Sequence, residues 1–164
     1  MTTYASNTDV SSYRSREEIE RTLMRYGAAN FAYGVTETHA LIGFTMSDRQ
    51  IRFILPLPNR NSSEFTLTPT KKWARSDKEA AAAYEQAVKS KWRSLALVIK
   101  AKLEAVSSQI VTFEQEFGMH MVLPDGRTVA EHVVPEIATA YATGEIPPLF
   151  GSMDSKPALS RGAS

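Results

Sequence analysis

The apolar positions of the chain change period four times, and each change marks an element. Ile19, Leu23 and Tyr26 recur at helical spacing. They follow Ser15 and Glu18, which are spaced as a capping box, and Gly27 supplies the stop. The spacing predicts a helix from Ser15 to Tyr26. Period-two alternation then takes over. Phe31, Tyr33 and Val35 form one run, Ala40, Ile42, Phe44 and Met46 a second over His39–Met46, and Ile51, Phe53 and Leu55 a third over Gln50–Leu57. Alternation of this kind predicts strands with one buried face. The short links Glu37-Thr38 and Ser47-Asp48-Arg49 predict an antiparallel meander, ended by Pro56 and Pro58.

A polar and then basic loop is expected over 59–76. Asp77 is the expected N-cap of a long helix, Lys78 to Val106, whose core face carries Tyr84, Val88, Trp92, Leu95, Ile99, Leu103 and Val106. Leu97 and Val98 carry apolar character around the cylinder, so the second half of this helix is expected to be covered on more than one side. A further helix is expected over Ser108–Phe117, burying Ile110, Phe113 and Phe117, with Gly118 as its end. A short strand over Met119–Leu123 and a turn at Pro124-Asp125-Gly126 come next. Thr128 and Glu131 form another capping box, for a last helix that contains Pro135 and stops at Gly144. The fold class is therefore α+β: an N-terminal helix, a three-stranded antiparallel meander, a long central helix and two or more further helices packed on one face. One domain over 15–150 is expected, between a flexible leader (1–14) and a disordered tail (151–164).

Composition changes this picture mainly by exclusion. At 164 residues the chain has the size of one ordinary domain. It has no cysteine, which removes disulfides, thiolate metal sites and cysteine nucleophiles. No apolar run approaches membrane-spanning length, and the N-terminus lacks the apolar core of a signal peptide. A cytoplasmic location and no membrane partner are expected.

Charge is unevenly spread. Residues 60–102 carry ten basic and four acidic groups, and residues 103–150 carry one basic and seven acidic, although the chain as a whole is +1. Either a basic surface for polyanions or two mutually neutralising segments would give this split. Lys71, Lys72 and Arg75 precede the long helix. On that helix Lys78, Lys89, Arg93 and Lys100 fall within about 60° of one another. Such a stripe suits a phosphate backbone, and Trp73 suits stacking on a base. The competing expectation is a solvated helix edge, with Lys100 paired to Glu104 one turn on.

No catalytic set, metal site or cofactor is expected. His39, His120 and His132 lack the spacing that builds a metal face. Glu114, Glu116 and Asp125 form the nearest approach to a carboxylate cluster, but the first two do not share a helix face. No nucleophile elbow, P-loop or dinucleotide fingerprint is present.

The order helix, three strands, helix, with Lys71-Lys72-x-Ala74 before the second helix, resembles the double-stranded-RNA-binding domain over about 15–90. The resemblance implies that the basic pair contacts phosphates. A wider resemblance rests on the segments 49–58, 83–87, 92–105 and 122–129, beginning Arg49-Gln50-Ile51-Arg52-Phe53 and Val122-Leu123-Pro124-Asp125-Gly126. These are similar to a group of small proteins encoded by bacteriophages and prophages, which have no assigned activity. The resemblance implies a phage setting and hence the host cytoplasm. It leads to the expectation of a non-enzymatic accessory protein that binds nucleic acid, with self-association, a host-protein partner or small-ligand sequestration as the alternatives.

Overall fold

The structure, a computed structural model, describes residues 3–148, with side chains from Ser12 onward. The elements are α1 (Thr3–Arg25), β1 (Ala29–Val35), β2 (His39–Met46), β3 (Arg49–Pro56), α2 (Ser63–Thr66), α3 (Asp77–Ser107), α4 (Phe113–Phe117), a 3₁₀ turn (Gly118–His120) and α5 (Val129–Thr143). This is the α+β architecture expected. The tail over 151–164 lies outside the described residues.

The sheet is an antiparallel meander in the order β1-β2-β3. Every second residue of β2, from Ala40 to Met46, is buried, and so are Ile51, Phe53 and Leu55 of β3. The register sets Ile42 opposite Phe53 and Phe44 opposite Ile51, so both strands turn the same face inward. The β2–β3 link has two residues rather than three. Ser47 and Asp48 take φ of 51° and 58°, the left-handed pair that a type I′ hairpin turn demands, and Arg49 already belongs to β3.

Helices α1 and α3 pack together and cover the inner face. Ile19 and Leu23 of α1 meet the six residues Tyr84, Val88, Trp92, Leu95, Ile99 and Leu103 of α3 within one core. Phe113 and Phe117 of α4 close its end, with Phe117 edge-on to Phe53. The outer edge of β3 is capped rather than open. Met121 bridges Ile51, and the Val122 N–H donates to the Gln50 carbonyl at 2.8 Å.

Several expectations need correction. The segment expected as a flexible leader is helical from Thr3, so no capping box forms at Ser15. No proline or glycine interrupts 3–25, and burial of Ser12 ties the segment to the body. The loop 59–76 contains α2, whose Phe65 is buried against Tyr84. The N-cap of α3 is Ser76, in a reciprocal box with Glu79, rather than Asp77. Leu97 and Val98 are exposed, so α3 is covered on one side only. No helix begins at Ser108. The chain breaks there with Gln109 at φ 59°, leaves Ile110 exposed, and restarts at a Thr112–Gln115 capping box. Gly118 opens the 3₁₀ turn, and Met119 and His120 belong to that turn instead of a strand.

The last helix forms as expected from the Thr128–Glu131 box and ends at Gly144 in the left-handed conformation. It contains Pro135, which offers no N–H to the Glu131 carbonyl. The Arg127 guanidinium donates to that oxygen instead, at 2.6 Å, and the helix continues past the proline.

Candidate functional site

The basic side chains fall into two groups, those that the fold uses and those it leaves in solvent. Lys102 lies on α3 near its buried stripe. Its ammonium donates to the Glu116 carboxylate at 2.8 Å and to the Glu116 carbonyl at 3.2 Å, fastening α4 to α3. Arg52 alternates with buried Ile51 and Phe53, so it stands on the other face of the sheet. It reaches Glu131 of α5 at 2.8 Å. His132 meets Asp125 at 2.6 Å across the turn before α5. The acidic segment after residue 103 therefore spends these carboxylates on Lys102, Arg52 and His132.

The expected stripe is not among these partners. Lys78, Arg93 and Lys100 are exposed and Lys89 is half-buried, and none of the four makes an ion pair among the described residues. Lys100 does not pair with Glu104. That carboxylate accepts from the Tyr26 hydroxyl at 3.4 Å and the Ser108 hydroxyl at 3.3 Å. Lys78 to Lys100 spans about 33 Å of helix at 1.5 Å per residue. Ala82 and Ala96 lie between the cations on the wheel, and Glu85 stands at the edge of the row, one turn before Lys89, without an ion pair to it. Lys91 is exposed too, but it projects from the far side of α3.

The remaining candidates sit on a small hairpin in front of α3. Leu67 bridges Ala74, the Thr68 N–H donates to the Trp73 carbonyl at 2.8 Å, and the Arg75 N–H donates to the Thr66 carbonyl at 2.8 Å. Lys72 sits in the turn at φ +55°, a conformation that costs a residue with a Cβ about 1 kcal/mol. Lys71 and Lys72 are exposed and make no ion pair among the described residues. Trp73 is 65% exposed, with the Lys71 ammonium 4.6 Å from its ring centre. Arg75 departs from the expectation. Its guanidinium donates to the Glu64 and Phe65 carbonyls at 3.3 and 3.2 Å and braces the hairpin against α2.

Three features carry no signal in the sequence. A cleft of about 860 Å³ opens between the β1–β2 turn and the chain after β3, with Asn59, Arg60 and Asn61 on its rim and Tyr84 in its lining. Arg60 is held over the Tyr84 ring at 4.8 Å. His120 stacks on Phe53 with ring centres 4.1 Å apart. Burial lowers its pKa, the nearby Lys102 adds to the lowering, and Glu116 opposes it. The third is the engagement of Glu116 and Asp125 with separate partners, so the expected nearest carboxylate cluster is dispersed. Among the described residues no three His, Asp or Glu side chains are grouped to hold a metal ion, and no helix is long and apolar enough to cross a membrane. Comparison with family models, with curated proteins and with solved structures returns no match.

The environment of His120 gives a pH dependence. A histidine whose folded pKa is depressed binds its proton less readily folded than unfolded. Stability is then complete above the ordinary imidazole pKa, and is lost as pH falls from about 6.5 through the lower folded value. Urea unfolding at neutral pH and at pH about 5 is expected to show a larger loss for the wild type than for His120→Gln. Equal losses would remove this linkage.

Proposed function

We propose that the protein is a non-enzymatic nucleic-acid-binding accessory protein, with the exposed cations of α3 and of the hairpin before it contacting the phosphate backbone. One observation carries the reading. Lys71, Lys72, Lys78, Lys89, Arg93 and Lys100 make no ion pair among the described residues, whereas Glu116 and Glu131 are engaged with Lys102 and Arg52, and Asp125 with the His132 ring. A row of unpaired cations on a helix can neutralise successive backbone phosphates and release the cations condensed on them, because the helix fixes their spacing. The overall charge of +1 does not oppose this, since residues 60–102 carry ten basic groups against four acidic ones. The resemblance of segments 49–58, 83–87, 92–105 and 122–129 to phage-encoded proteins supports a role in phage nucleic-acid metabolism in the host cytoplasm.

The direct test is fluorescence anisotropy with labelled DNA and RNA oligonucleotides at low salt. Saturable binding at micromolar protein, weakened steeply by salt, is expected. Absence of binding to every oligonucleotide would remove the proposal.

A second reading, a protein partner or self-association, is favoured by the apolar groups on the outside of the fold. Leu97 and Val98 of α3 and Val134, Ile137 and Tyr141 of α5 are all exposed, Tyr141 by 91%. Light scattering at high concentration separates the readings: a strict monomer counts against self-association.

A further inference from the structure

The geometry points to single-stranded rather than duplex nucleic acid as the ligand, with Trp73 as the platform on which one unpaired base stacks. This inference rests on the phosphate-binding reading of α3 and narrows it. Three observations carry it.

Trp73 is held outward by the local backbone. Its carbonyl accepts from Thr68 N–H and its own N–H donates to the Thr68 hydroxyl at 3.0 Å, while Arg75 clamps the base of the hairpin to two carbonyls of α2. The clamp is anchored in turn, because Phe65 is 3% exposed and packs edge-on to Tyr84 of α3. The braced turn fixes where the indole leaves the backbone, so a partner that covers it has only two side-chain torsions to order.

The surroundings of the ring are cationic. Lys71 lies over it and Lys72 is its chain neighbour, in the left-handed conformation that the tight turn imposes. An apolar partner peptide would gain nothing from two flanking ammonium groups, whereas a stacked base brings its own phosphates to them. Lys78, the first cation of the α3 stripe, follows the hairpin within the first turn of the helix.

A stacking platform discriminates between strands. The π-faces of a duplex are already stacked on their neighbours, and only an unpaired base can lie on an indole. The stripe alone would accept either form, so the preference for single strands belongs to the hairpin. A groove and platform of this kind covers on the order of 4–16 nucleotides.

The test compares a labelled oligothymidylate with a mixed-sequence duplex of equal length, binding the wild type, Trp73→Ala and Trp73→Phe. The wild type is expected to prefer the single strand. Trp73→Ala is expected to lose roughly 5- to 150-fold on it, the range that stacking of one base represents, with duplex affinity unchanged. Trp73→Phe, which keeps a π-face, is expected to retain most of the affinity. Because Trp92 is buried, quenching of the exposed indole by the oligonucleotide should appear in the wild type and vanish in Trp73→Phe. Equal affinity for both strands, or a Trp73→Ala protein that binds the single strand like the wild type, would overturn this inference and leave the phosphate-binding reading standing. Failure of the wild type to bind either form would remove both.

Discussion

Alanine at Lys78, Lys89, Arg93 and Lys100 together is expected to lower affinity for a single-stranded oligonucleotide on the order of a thousandfold at 50 mM salt. The magnitude follows from counterion release. Each phosphate of a single strand that is no longer neutralised takes about 0.7 from the slope of log K against log salt, so four of them take about 3. The fold should be indifferent to these changes. None of the four side chains makes an ion pair among the described residues, and the six α3 residues that build the core lie on a different arc of the helix. Lys78, Arg93 and Lys100 face solvent, where substitutions usually shift stability by no more than about 0.5 kcal/mol each, and Lys89 is half-buried with no ion pair to lose. Urea unfolding of the quadruple variant should therefore match the wild type while its binding collapses. An unaltered slope would place the phosphate-binding groups elsewhere on the surface.

Replacing Phe44 by alanine is expected to cost about 3–5 kcal/mol, a large part of the stability of a domain this size. Phe44 is 1% exposed at the middle of the inner face. Its ring meets Phe31 on β1 and Phe53 on β3, each with centres 6.3 Å apart, so a cavity there loosens all three strands at once. The contrasting substitution is Ile54→Ala. Ile54 is 49% exposed on the opposite face, and its truncation should cost about 1 kcal/mol or less. Urea midpoints of the two variants test whether the sheet is buried on one face only. Similar losses would contradict that arrangement. Phe44 also bears on the site, because the inner face of the sheet shares one core with the buried residues of α3 and fixes which arc of that helix meets solvent.

β2, β3 and the core face of α3 were legible because each depends on local periodicity, whereas Val35, expected on the buried face of β1, is exposed at the sheet edge. The limits of β2 follow from alternation of Ala40, Ile42, Phe44 and Met46, and the buried set of α3 follows from its 3.6-residue repeat. Differences arise where two local rules compete. Apolar Leu97 and Val98 suggest cover on a second side, but the sheet and α1 supply only one, and these residues stay in solvent. Ile110 suggests continuous helix, while the Thr112–Gln115 box two residues later marks the true restart. The Ser76–Glu79 box is likewise legible one residue before Asp77.

The candidate site was legible in its residues but not in its charge balance. The cations of 71–100 are visible in the chain. Which acidic groups are taken up by other cations depends on pairs such as Arg52 with Glu131, which are 79 residues apart, and Lys102 with Glu116, which become neighbours only when α4 folds back on α3. Arg75 looks like Lys71 and Lys72 in sequence. Its guanidinium instead braces the hairpin, a role set by the position of α2. The cleft beside Arg60 has no sequence signal, because its walls come from β-turn, loop and helix residues far apart in the chain.

Lysine acetylation footprinting with and without a bound oligonucleotide tests the central electrostatic claim most directly, since it reads each amine separately. Protection is expected at Lys71, Lys72, Lys78, Lys89 and Lys100, with Lys91, exposed on the far side of α3, modified equally in both states. Protection of Lys91 to the same degree as Lys89 and Lys100, or no protection at any of them when the oligonucleotide is bound, would contradict it.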